Sequence, residues 1–89
     1  MRKRLLLWGL GRDFKKLWPY YRKEEKKGYI TWTGGIDGKR TGWEKHFPVL
    51  PKAVLSSKQF DYLIISSTDY YWEIKQEAAS MGVREEQIV

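Results

Sequence analysis

Two short stretches carry residue types that could do chemistry. In the first, Gly9-Leu10-Gly11-Arg12-Asp13, two glycines follow an apolar run and precede a charged, helix-like segment. Glycines at that spacing let the backbone turn sharply and leave main-chain N–H groups uncovered, while the next helix directs its positive end at the same place. This is the outline of a phosphate cradle. In the second stretch, Ser66-Ser67-Thr68-Asp69, three hydroxyls and a carboxylate again follow an apolar run. Ser67, Thr68 or Asp69 is expected to cap the helix that follows, and the stretch can also orient a ligand held at its other end.

The elements that must position these stretches can be read on either side. Leu5-Leu6-Leu7-Trp8 is a continuous apolar run without alternation, the pattern of a strand buried on both faces of a parallel sheet. Phe14, Leu17, Trp18 and Tyr21 then form one helical stripe, ended by Gly28, and Pro19 predicts a kink near Lys15 to Trp18 or two short helices in series. Tyr29 to Thr33 reads as a second strand. Gly34 to Gly42 holds four glycines in nine residues and reads as a mobile loop or small hairpin. Phe47-Pro48-Val49-Leu50-Pro51 is plausible only as a brief edge strand, and Lys52 to Ser57 as one or two helical turns. Tyr62 to Ile65 is a second buried strand, followed by a helix marked by Tyr71, Ile74, Ala78 and Met81 and ended by Gly82. Gln87-Ile88-Val89 reads as a last strand at a sheet edge, the finish of a domain that belongs to a larger protein or assembly.

This order predicts an α/β domain over residues 1–89 with a mostly parallel sheet of four to five strands. In an open sheet of that kind the loops after the first and fourth strands flank the crevice where strand order reverses. Ser66 to Thr68 should then face Gly9 to Arg12 across one cleft. The dinucleotide fingerprint has a third glycine, which is Phe14 here, and an acid at the end of the second strand. That place falls near Thr33 and Gly34, where there is none; Asp37 lies a few residues later. The nucleotide-binding candidates are Gly9, Leu10, Gly11, Arg12, Asp13, Thr33, Ser66, Ser67 and Thr68. Lys39 and Arg40 read as an exposed turn in preference to a phosphate contact. His46 has neither a nucleophile nor a metal partner in the sequence and reads as an ordinary loop residue.

Composition narrows the classes. The chain has no cysteine, so disulfides and thiolate metal sites are excluded, which suits a reducing, cytoplasmic setting. The apolar run after Met1-Arg2-Lys3-Arg4 is too short for a signal peptide or a membrane span. Net charge is +6, and the first 45 residues carry thirteen Lys and Arg against five Asp and Glu. The basic half contains the glycine turn, which favours an anionic partner. No paired carboxylates, nucleophile with a base, or metal set presents itself, so catalysis by the domain alone is not expected.

The glycine turn, the Pro48-Val49-Leu50-Pro51 piece, the run Phe60 to Ser67 and the ending Met81-Gly82-Val83 to Gln87-Ile88-Val89 together resemble a known group. It is the small Rossmann-like domains of bacterial surface (capsular) polysaccharide biosynthesis proteins, among them nucleotide-sugar oxidoreductases, sugar acyltransferases, and glycosyl- or methyltransferase fusions. The resemblance implies a Rossmann-like three-layer sandwich beside a catalytic domain. It also implies a nucleotide, NAD(P) or nucleotide-sugar held by Gly9, Leu10 and Gly11, with Ser66 and Ser67 opposite. Two alternatives stand beside it. One is a ligand-free interaction or assembly domain, homodimeric or docked to a partner, with Trp32, Trp43 and Trp72 at its surface. The other, ranked lower, is single-stranded nucleic-acid binding by basic charge interleaved with aromatics.

Overall fold

The computed structural model describes residues 2–38, 40–44 and 47–89, so Lys39 and His46 lie outside the described residues. Five strands, β1 (Lys3–Trp8), β2 (Ile30–Ile36), β3 (Gly42–Glu44), β4 (Phe47–Val49) and β5 (Tyr62–Ile65), form one sheet in the order β3-β4-β2-β1-β5. The pairings β1–β2, β1–β5 and β2–β4 are parallel, and β3–β4 alone is antiparallel. Two helices accompany the sheet, α1 (Arg12–Lys26) and α2 (Tyr71–Ser80), with 3₁₀ turns at Lys52–Ser56 and Glu85–Gln87. The protein is thus an α/β domain with a mixed five-stranded sheet. No helix among the described residues is long and apolar enough to cross a membrane.

The central position of β1 follows from its sequence. Leu5 and Leu7 pack with Phe14 and Trp18 of α1, whereas Leu6 and Trp8 pack with Leu55 of the first 3₁₀ turn and Ala78 of α2. A strand that is apolar on both sides buries both, at about 1.5–3 kcal/mol for each large side chain. The two cores therefore lie on opposite faces of the sheet. α1 covers one face, and the 3₁₀ turn with α2 covers the other.

Several expectations are corrected. β2 does not stop at Thr33 but runs through Gly34 and Gly35 to Ile36. These glycines are packing devices rather than loop residues. A Cβ on Gly35 would sit 2.9 Å from Phe47 Cε1 and 3.1 Å from Leu10, and one on Gly34 would sit 2.5 Å from Leu50 Cδ1. Thr33 falls where the β1–β2 register shifts, with Leu5 opposite Trp32 and Leu6 opposite Gly34. β4 is not at the edge, because β3 pairs on its outer side.

α1 runs through Pro19 as one helix of 15 residues. Pro19 and Lys15 are both exposed, so the carbonyl that loses its donor faces water. The expected final strand is a 3₁₀ turn followed by a single parallel bridge from Ile88 to Leu63. Trp32 is buried, its indole donating to the Tyr21 carbonyl at 3.1 Å, while Trp43 and Trp72 are exposed.

Candidate functional site

β1 ends at Trp8, and its continuation is held from both sides. Gly9 N–H donates to the Ile36 carbonyl at the end of β2, and Ser66 N–H donates to the Trp8 carbonyl. Gly9 has φ +103°, a conformation that side chains disfavour. Gly11 is the N-cap of α1, and no side chain caps this helix. A Cβ at Gly11 would meet no atom within 4 Å, so the space beside the start of α1 is open.

The loop after β5 lies directly opposite. Asp13 Oδ2 accepts hydrogen bonds from the Thr68 amide at 3.1 Å and the Thr68 hydroxyl at 3.0 Å. Those two bonds, the amide first, hold the Asp13 carboxyl below its ordinary value of 3.8. Arg12 reaches Asp69 at 3.6 Å. Ser67 Oγ accepts the Tyr70 amide at 3.3 Å, fixing the turn ahead of α2. None of the hydroxyls caps α2 itself, which begins after Tyr70 without a side-chain cap. The expected capping role is to that extent corrected.

Between the two loops is a cleft of about 510 Å³, lined by Gly9 to Asp13, Asp37, Ser66, Ser67, Asp69 and Tyr70 among others. The structure thus brings together Gly9, Leu10, Gly11, Arg12, Asp13, Ser66, Ser67 and Thr68 at the C-terminal ends of β1 and β5. Leu10 is a partial exception. Its side chain is buried in the α1-side core, so it offers the cleft only its backbone. Phe14 is fully buried, with ring centroids 5.4 Å from Trp18 and 6.0 Å from Phe47. It lies beneath the loop and does not fill the cleft.

Thr33 does not join the site. Its hydroxyl donates to the Leu5 carbonyl at 3.0 Å within the sheet. Asp37 lies immediately after β2 and on the cleft wall. Its carboxylate pairs with Arg40 at 3.3 Å, and Arg40 also pairs with Glu44. The sequence signal that would have located it is Ile36, the last apolar residue before the Asp-Gly turn. Among the described residues no group of three or more His, Cys, Asp or Glu is placed to hold a metal ion.

Ser66 stands apart from its neighbours. It is 5% exposed, and its Oγ makes no hydrogen bond within 3.5 Å. Tyr21 of α1, whose hydroxyl is pushed up from the ordinary 10.0 by burial, is drawn back partly by the nearby Ser66.

A family model described as C2185-like, N-terminal, matches residues 1–89, and the chain belongs to that family. This overturns the resemblance to surface-polysaccharide biosynthesis domains, which rested on the order of elements without a catalytic signature. No curated protein matches the chain.

Proposed function

We propose that this member of the C2185-like N-terminal family is a nucleotide-binding module, without catalysis of its own, whose ligand lies in the cleft between Gly9–Asp13 and Ser66–Asp69. The observation that carries this reading is the meeting of three features at one end of the sheet. The uncapped N-terminus of α1 opens there, the β5 loop closes the opposite side, and Asp37 stands at the end of β2. We read the fold accordingly as a reduced Rossmann-like three-layer sandwich. Its parallel strands follow the order β4-β2-β1-β5, in which crossovers on opposite faces leave a crevice beside β1.

In this reading the ligand phosphate rests on the first amides of α1. Arg12 turns from Asp69 to the phosphate as counter-charge. Asp37 accepts the hydroxyls of a ribose, which favours a nucleotide with a free diol over one carrying a 2′-phosphate. NAD and a nucleotide-sugar both meet that description.

Calorimetric titration with NAD, UDP and a UDP-sugar tests it. At least one should bind saturably, and Gly11→Leu, which projects a side chain into the open mouth, should weaken that binding by about tenfold or more with the amide spectrum retained. Binding left unchanged by Gly11→Leu contradicts the placement.

A further inference from the structure

We infer that a second cavity, beside the Asp13–Thr68 bridge, is a binding site for a flat aromatic ring carrying one hydrogen-bonding group on its edge. The cavity measures about 430 Å³, within the range of small-molecule sites. Leu17 of α1, Ile65 at the end of β5, and Tyr71 and Trp72 of α2 form its walls, and Ser66 belongs to its lining.

A buried hydroxyl without a partner is uncommon, because it forgoes the bonds it would make to water. Ile65 packs into the α2-side core, so strand alternation turns Ser66 to the α1 side, where Leu17 and Tyr21 stand. Its hydroxyl makes no hydrogen bond within 3.5 Å, has the Tyr21 hydroxyl as a neighbour, and belongs to an enclosure whose larger walls are apolar. A ring edge with one polar atom satisfies the hydroxyl while its faces cover the apolar walls.

The walls favour an aromatic ring over an aliphatic chain. Tyr71 and Trp72 stand edge to face, with centroids 5.2 Å apart, and Lys75 Nζ lies 5.3 Å from the Trp72 ring centre. Both contacts favour one orientation of the indole. Trp72 is nevertheless 72% exposed and Leu17 41%, apolar surface that a bound ring would remove from water. Asp13, Lys16, Ser67 and Thr68 complete the lining, so charges and hydroxyls lie beside the apolar walls. This site does not depend on the phosphate reading, since its residues recognise a ring with or without a nucleotide attached.

The test is an amide and indole NMR titration of the full chain with nicotinamide, adenine, phenol and, as an apolar control, benzene. At least one of the polar rings should shift Leu17, Ser66 and the Trp72 indole saturably, with a dissociation constant in the millimolar range, about 10 mM or below. Ser66→Ala should weaken the polar rings by roughly tenfold and leave benzene unaffected, the ratio expected for one lost hydrogen bond. Leu17→Trp, which fills the cavity from its rim, should abolish all of them. The inference is overturned if no polar ring shifts these residues, or if the shifts survive both substitutions. Pyrophosphate in the same experiment reports on Gly9–Asp13 separately, so failure of one site does not read as failure of the other.

Discussion

Asp13, in the first turn of α1, accepts both the amide and the hydroxyl of Thr68, a residue 55 positions away, through a single carboxylate oxygen. This bridge ties the loop after β1 to the loop after β5. Both hydrogen bonds go to the ionised form, so the folded protein holds Asp13 below 3.8.

The sign of the pH dependence follows. A carboxylate whose folded value is depressed stabilises the fold above its unfolded value and loses that contribution as pH falls through the folded one. Asp13→Asn should therefore be less stable than the wild type at pH 7, and the difference should shrink below pH 3.8. Urea melts of both proteins across that range check it. Asp61, held down by the Arg4 amide and side chain at the other end of β1, contributes to acid sensitivity in the same direction.

Ser66→Ala should raise stability while weakening ring binding. Removing a buried hydroxyl that lacks a partner relieves a desolvation penalty of about 1 kcal/mol or more. Equilibrium urea unfolding measures this directly; a loss of stability would mean that the hydroxyl is satisfied in the folded protein.

Asp69→Asn should tighten nucleotide binding by about threefold, the scale of one exposed ion pair released. It frees Arg12 and removes a negative charge from the cleft. Arg12→Ala should weaken binding, and in the double variant the benefit of Asp69→Asn should largely disappear. Calorimetry on the four proteins closes the cycle.

Gly35→Ala should cost about 1–3 kcal/mol through overpacking, because its Cβ would press on the buried Phe47 ring and on Leu10. Gly34→Ala should cost less. Its closest neighbour is the end of the Leu50 side chain, which is only partly buried and can turn away, leaving the Pro48 carbonyl at 3.2 Å as the remaining tight contact. Thermal melts of the two variants rank them.

The difference between those glycines and ordinary loop glycines explains what the sequence conceals. β1, α1, β5 and α2 are legible because their burial follows from local pattern, as in the two-sided run Leu5 to Trp8. Gly34 and Gly35 exist for contacts with Phe47, Leu10 and Leu50, residues set beside them only by the fold, so a local reading takes them for a loop and ends β2 too soon. The same error hides Asp37, which is moved to the cleft wall by the three further residues of β2. Trp32 misleads in another way. It lies outside the helical stripes but is enclosed by Tyr21 and Trp18 of α1, with ring centroids 5.2 and 6.5 Å away. The meeting of Gly9–Asp13 with Ser66–Thr68 was legible, since it requires only the order of strands; the Asp13–Thr68 bridge was not, since it depends on side-chain geometry.

The most direct test of the nucleotide reading is a two-dimensional amide NMR titration of the chain with NAD, UDP, a UDP-sugar and a short oligonucleotide at two salt concentrations. The account predicts saturable shifts at Gly9 to Asp13, Asp37 and Ser66 to Asp69 with at least one of the small nucleotides. Silence at those residues with every small nucleotide, or shifts confined to the outer lysines of α1 with the oligonucleotide alone, would contradict it.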